Sequence, residues 1–251
     1  MSINIITPVI IAKDSEATIK TCLESLNTFS EVILYINNSQ DKTEEIAKTF
    51  PNVKIIDGEF FGFGETKNKA TSYASTQWIL SLDSDEVLSQ EFIQSLSNIE
   101  LKNDRVYTIL RTNYYREQAI KHCWGNDVIV RLYNREVTKF TDKKVHEKII
   151  TEGLKEEMIE GIVEHYPYAT QTDFIIKLDR YSTIYAQDNV GKKSSSPLKA
   201  ILNAHFSFFK TYFLKRGFLD GYAGLIIAFS HMATNFYKYM KLYEMNKDLK
   251  R

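Results

Sequence analysis

The first 85 residues alternate short apolar runs with amphipathic stretches, and few folds accept that order. Residues 3–12, 32–36, 53–56 and 78–82 are almost wholly apolar, the composition of strands buried on both faces. Between them, Ile19, Cys22, Leu23 and Leu26 fall on one helical face, and Thr43 opens a second helical stretch. A third helix is expected over residues 67–74, after Gly62 and Gly64 break the chain. Asp14 or Ser15 would cap the first of these helices. Strand and helix in strict alternation predict an α/β fold with a mostly parallel, helix-covered central sheet.

Ligands of such sheets sit beyond the carboxyl ends of the strands. The run Trp78-Ile79-Leu80-Ser81-Leu82 ends directly in Asp83-Ser84-Asp85-Glu86. Carboxylates crowded in a cleft repel one another and lose hydration. A hard divalent cation such as Mg²⁺ or Mn²⁺ relieves both costs, takes oxygen ligands, and often holds a diphosphate as well. A solvated acidic turn is the plain alternative, since Asp and Ser favour turns.

Later segments carry weaker patterns. Residues 106–111 and 127–133 read as strands, and residues 149–150 and 159–163 flank Gly153 like a late hairpin. An amphipathic helix is expected over residues 174–185, a polar linker over 189–196, and a new helix from Pro197. The expected division is a catalytic domain over residues 1–190 and a helical C-terminal extension over 191–251.

Charge separates the same two segments. Net charge is zero over 251 residues, yet residues 192–251 hold eleven basic and three acidic side chains, a net +8. Aromatic residues interleave with those lysines, and residues 221–237 contain no Asp, Glu, Lys or Arg. That run is short for a membrane span and includes His231 and Asn235. A helix pair lying on an anionic membrane surface fits it better, with packing on the catalytic domain or across a homodimer interface as the alternative. No nucleic-acid-binding signature accompanies the basic residues. Two cysteines, Cys22 and Cys123, exclude a disulfide scaffold. No basic region precedes an apolar core at the start of the sequence. A cytoplasmic protein, peripheral on the inner face of the cytoplasmic membrane, is the expectation.

The order of motifs resembles family 2 glycosyltransferases of the GT-A fold. The residues that carry this are Ser39-x-Asp41-x-Thr43, Phe61-Gly62-Phe63-Gly64 with Lys67-Asn68, and Leu82-Asp83-Ser84-Asp85-Glu86. Within that family, Trp124-x-x-Asp127-x-x-x-Arg131-Leu132, Val145-His146-Glu147, His165-Tyr166-Pro167-Tyr168 and Gly217-Phe218-Leu219-Asp220-Gly221 resemble the bacterial lipopolysaccharide inner-core β-1,4-glucosyltransferase group. Together these span nearly the whole chain.

The resemblance implies an inverting, metal-dependent transfer of a hexose from a nucleotide sugar, UDP-linked by analogy, to a lipid-linked oligosaccharide. It implies a divalent cation, Mn²⁺ or Mg²⁺, on Asp85 with Asp83 and His165, where Asp83 could instead bind the ribose. Glu147 would be the base that takes the acceptor proton, with Asp127 as competitor. Arg131 would clamp the diphosphate, and Asp14, Asp41, Lys67, Asn68, Trp124 and His146 would contact nucleotide or substrate. The sequence departs from the family twice. Glu147 stands where an aspartate is usual, and Ile36 stands where the family commonly has an aspartate that reads the base. A nucleotidyltransferase would show a glycine-rich basic loop near the first strand, and residues 13–16 have none. A non-catalytic nucleotide-sugar-binding scaffold of the same fold is the remaining alternative.

Overall fold

The computed structural model describes residues 2–142, 147–168 and 170–249. They form two compact units, one of residues 2–112, 126–142 and 147–166, the other of residues 113–125, 167–168 and 170–249. The expected boundary at residue 190 differs from this. The helix before it lies in the second unit, as does the 113–125 excursion.

In the first unit β1 (Ile6–Ala12), β2 (Val32–Ile36), β3 (Val53–Asp57) and β4 (Trp78–Asp83) alternate with α1 (Ile19–Glu24), α2 (Thr43–Ala47) and α3 (Phe63–Thr71). The pairs β1–β2, β1–β4 and β2–β3 are parallel. Apolar side chains leave β1, β2 and β4 on both faces, so two clusters form. One gathers Ile10, Leu34, Leu80 and Leu82 with α1, and the other gathers Val9, Ile33, Tyr35 and Ile79 with Ala70 of α3.

The sheet continues through β5 (Glu86–Leu88), α4 (Gln90–Asn98), β6 (Arg105–Tyr115), the two-residue β7 (Gln118–Ala119), β8 (Asn126–Asn134) and β9 (Lys155–Tyr168). Its strand order is β3-β2-β1-β4-β8-β6-β9-β5, with β7 on β6. The pairs β4–β8, β6–β8 and β5–β9 are antiparallel. The expected α/β class therefore stands, with an antiparallel half added to the parallel one. This half delivers long-range residues to the end of β4.

Two local expectations are corrected. No hairpin forms about Gly153: Ile149 bridges Phe140 instead, and β9 pairs with β5. Neither Asp14 nor Ser15 caps α1, whose N-cap is Thr18 without a side-chain bond. The Asp14 carboxylate accepts from the Gln40 amide at 2.8 Å, and the Ser15 hydroxyl meets that of Ser84 at 2.9 Å.

The second unit is built on α5 (Gln171–Asn189), α6 (Pro197–Phe209) and α7 (Gly221–Asp248). Thr170 and Asp173 form a capping box on α5, and Ser196 caps α6 with Pro197 in its first turn, as expected. Gly221 adopts φ +54°, and a Cβ on Gly224 would stand 1.9 Å from the Gly217 carbonyl. Gly221 thus answers to its left-handed backbone, and Gly217 and Gly224 to the closeness of other backbone. Asp220, 2% exposed, accepts from the backbone amides of Lys121, His122 and Cys123 at 3.0, 3.1 and 2.8 Å. His122 Nδ1 lies 2.9 Å from the same carboxylate. Burial opposes this carboxylate's charge, but the three amides and His122 outweigh it and lower its pKa. Asp220→Ala strands several buried donors, and we expect it to lose at least about 2 kcal/mol of unfolding free energy in urea denaturation of the full chain.

Candidate active site

The carboxyl ends of β1, β2 and β4 converge where the alternation places them. At the end of β4 the two aspartates part ways. Asp83 faces cations: Arg131 of β8 at 2.5 Å and Lys67 of α3 at 3.1 Å. Burial alone would raise its pKa, but the two cations reverse that and hold it far below the usual carboxylate value. Asp85 lies beside His165, with Nε2 to carboxylate at 3.6 Å. The β5–β9 ladder causes this closeness, since Glu86 and His165 are register partners and the Tyr166 amide donates to the Asp85 carbonyl at 2.9 Å.

Glu86 lies beneath them with no exposed surface. It accepts from Arg111 at 3.0 Å and Arg131 at 2.8 Å, and from the Asp83 amide at 2.9 Å. Burial works against the charge of both arginines, yet Glu86, with Asp83 beside Arg131, raises their pKa values. Arg111 also holds Asp127 at 3.0 Å, its register partner across β6 and β8. The expected roles of Arg131 and Asp127 are thus embedded in one ion-pair network. Glu86 and Arg111 had no role in the sequence reading. The only available signal was Glu86 as the third acid of the β4 run, because nothing local pairs it with residues 25 and 45 positions away.

Glu147 reaches this network through Lys67, at 3.2 Å. The path is built by α3. Gly62 turns the chain into the helix at φ +107°, a conformation that favours glycine. Gly64 lets Thr141 and Glu147 approach, since a Cβ there would stand 2.0 Å from the Thr141 carbonyl and 3.3 Å from the Glu147 Cβ. Asn68 clamps Phe140, donating to its carbonyl at 3.0 Å and accepting from its amide at 2.9 Å. Asn68, expected as a ligand residue, thus holds the backbone of Phe140. His146 falls outside the described residues.

The other expected contacts lie as follows. Asp41 accepts from the Glu16 amide at 2.8 Å and from the Thr43 amide and hydroxyl at 3.0 and 2.5 Å. Burial is outweighed by these bonds, and its pKa falls. It laces the loops after β1 and β2 together. Ile36 is 3% exposed and belongs to the core, so it offers nothing to a base. An open hollow of about 600 Å³ lies next to it, at the ends of β2 and β3, lined by Asn37, Asn38, Asp57, Gly58, Glu59 and Phe60. Tyr35 and Asn37 fix its rim by donating to the carbonyls of Glu59 and Gly58 at 2.9 and 3.1 Å. Trp124 belongs to the second unit. There it stacks on Tyr168 at 5.4 Å, and its indole donates to His231 at 3.4 Å. Burial lowers the pKa of His231 to about 4, which leaves it a neutral acceptor.

The sequence profile of Glycosyl transferase family 2 matches residues 7–154, which takes in β1, the Asp83–Asp85 pair and Glu147. The chain belongs to that family. An uncharacterized glycosyltransferase of Rickettsia typhi is 29% identical over 257 aligned residues, covering 96% of this chain and 87% of the relative. The lipopolysaccharide core biosynthesis glycosyltransferase LpsC of Rhizobium meliloti is 24% identical over 249, covering 94% and 90%. Among solved structures, residues 1–349 of S. aureus TarS in complex with UDP superpose with a TM-score of 0.45 at 14% identity, over 98% of this chain and 91% of that one. Family membership makes this glycosyltransferase an enzyme of group transfer and sets the nucleotidyltransferase reading aside.

Two outcomes test the network. Removing a buried partner leaves uncompensated charge, so Glu86→Ala is expected to cost about 3–5 kcal/mol of unfolding free energy. For Asp83 the sign is set by its depressed folded pKa. Its contribution is present above the unfolded value of about 4 and is lost as pH falls towards the folded one. The stability gap between wild type and Asp83→Asn, measured by urea denaturation from neutral pH downwards, should therefore shrink below about pH 4.

Proposed function

We propose that this family 2 glycosyltransferase moves a hexose, with inversion, from a nucleotide sugar to a lipopolysaccharide core or another lipid-linked glycan. The observation that carries the reading is that Lys67 ties Asp83, at the carboxyl end of β4, to Glu147, while Asp85, two residues on, lies beside His165. LpsC, named for lipopolysaccharide core biosynthesis, supports the acceptor class.

In this reading the nucleobase lies in the hollow bounded by Asn37, Asp57 and Phe60. The ribose and diphosphate then run towards Asp83 and Asp85. UDP is the expected carrier. Acceptor oxygen attacks the anomeric carbon, the bond from that carbon to the diphosphate breaks, and Glu147 takes the hydroxyl proton. Lys67 holds the Glu147 carboxylate in place, and Asp127 is the competing base. Asp85 and His165 offer one oxygen and one nitrogen donor 3.6 Å apart, while Asp83 is engaged by cations. Asp85 and His165 would hold Mn²⁺ or Mg²⁺. Among the described residues no group of three or more His, Cys, Asp or Glu side chains is placed to hold a metal ion. When bound, it would neutralise the leaving diphosphate as a Lewis acid.

Thermal shift with UDP, GDP, CDP and ADP, each with Mn²⁺ or EDTA, tests the donor side. One nucleotide should raise the melting temperature only with metal, as RT ln(1 + [L]/Kd) requires, and Asp85→Ala should erase that shift. On the acceptor side, Glu147→Gln should keep the shift and lower transfer by at least about 10²-fold. Should Asp127→Asn do this instead, the base is Asp127. Nucleotide binding with no transfer to any glycan acceptor would favour the scaffold reading.

A further inference from the structure

The helix α6 is turned inside out for a helix in water. Its buried positions are the small residues Ala200 and Ala204, followed by Thr211 in the π turn that continues it. Its exposed stripe is Leu198, Leu202, Phe206, Phe209 and Phe213, spaced by three or four residues and each about half exposed or more. A helix that only packs against its own protein shows the reverse arrangement. A continuous apolar stripe of this size marks an interaction surface.

The charge around the stripe selects the occupant. Between residues 190 and 219 the sequence contains Lys192, Lys193, Lys199, Lys210, Lys215 and Arg216, and no Asp or Glu. The next carboxylate, Asp220, is buried and taken up by its own chain. The partner must therefore be apolar where the stripe enters and anionic where the lysines end.

We propose that α6 docks on the surface of an anionic lipid bilayer, with its leucines and phenylalanines below the headgroups and the lysine ammonium groups among them. A second copy docked face to face would set six cations against six, which repels. Nucleic acid offers phosphate but no apolar layer for five large side chains. Among the described residues no helix is long and apolar enough to cross a membrane, so the contact is with the surface. The inference stands apart from the transfer reaction and survives or fails independently of it.

Sedimentation of the full chain with phosphatidylcholine vesicles, with and without phosphatidylglycerol, tests this. The chain should bind the anionic vesicles at least roughly tenfold more tightly than the neutral ones, and high salt should release it. Leu202→Ser with Phe206→Ser should weaken binding by roughly tenfold or more at an unchanged melting temperature. Lys210→Glu with Lys215→Glu should remove the preference for anionic lipid, and it keeps the test decisive if the apolar variant does not fold. Absence of binding to anionic vesicles, equal binding by both variants, or a solution dimer that Phe206→Ser dissociates would each overturn the proposal.

Discussion

The buried Glu86 carboxylate is the constraint on which the first unit turns. It has no contact with water, so its charge is tolerable only because two guanidinium groups and one amide surround it. Those arginines come from β6 and β8, and the amide from the end of β4. One anion thus fixes how the antiparallel half of the sheet meets the parallel half. It also sets Arg131 at a height where its second partner is Asp83. The position of Asp83 follows from an ion pair made one layer deeper.

Cys22 illustrates the same field from another side. Its thiol is buried near the Asp83 carbonyl, and burial with the charges of Glu86, Asp85 and Asp83 drives its pKa well up. It remains a neutral, small core side chain and takes no part in nucleophilic chemistry. The acidic residues at the end of β4 therefore act on everything within reach, and only groups able to carry positive charge gain from that neighbourhood.

Much of this was legible in the chain before its fold was known. Periods of hydrophobicity gave β2 to the residue and placed Asp83 and Asp85 at a strand end, because burial on both faces leaves an unmistakable composition. The antiparallel strands were readable as strands but not as neighbours. The β5–β9 ladder joins residues nearly eighty positions apart, and no local propensity encodes such a register. Hence His165 was expected as a ligand through resemblance alone, while Glu86 and Arg111 went unassigned. Asn68 shows the converse. The family resemblance implied a ligand contact for it, whereas it lies inside α3 and its amide spends both faces on the backbone of Phe140. A side chain that satisfies two backbone groups 72 residues away cannot be told from a ligand residue by position.

Counting charge over the assembled cluster strengthens the case for a cation in the proposed donor complex. Asp83, Asp85, Glu86, Asp127 and Glu147 share Lys67, Arg111, Arg131 and the imidazole of His165, which is charged only when protonated. The three permanent cations are already spoken for by Asp83, Glu86, Asp127 and Glu147. A nucleoside diphosphate entering here brings further negative charge to the side where Asp85 has only a histidine. In that proposed complex, a divalent ion held by Asp85 and His165 would offset the charge of the diphosphate. The arginine network then keeps a different task. It holds Asp83 ionised and fixed at the end of β4.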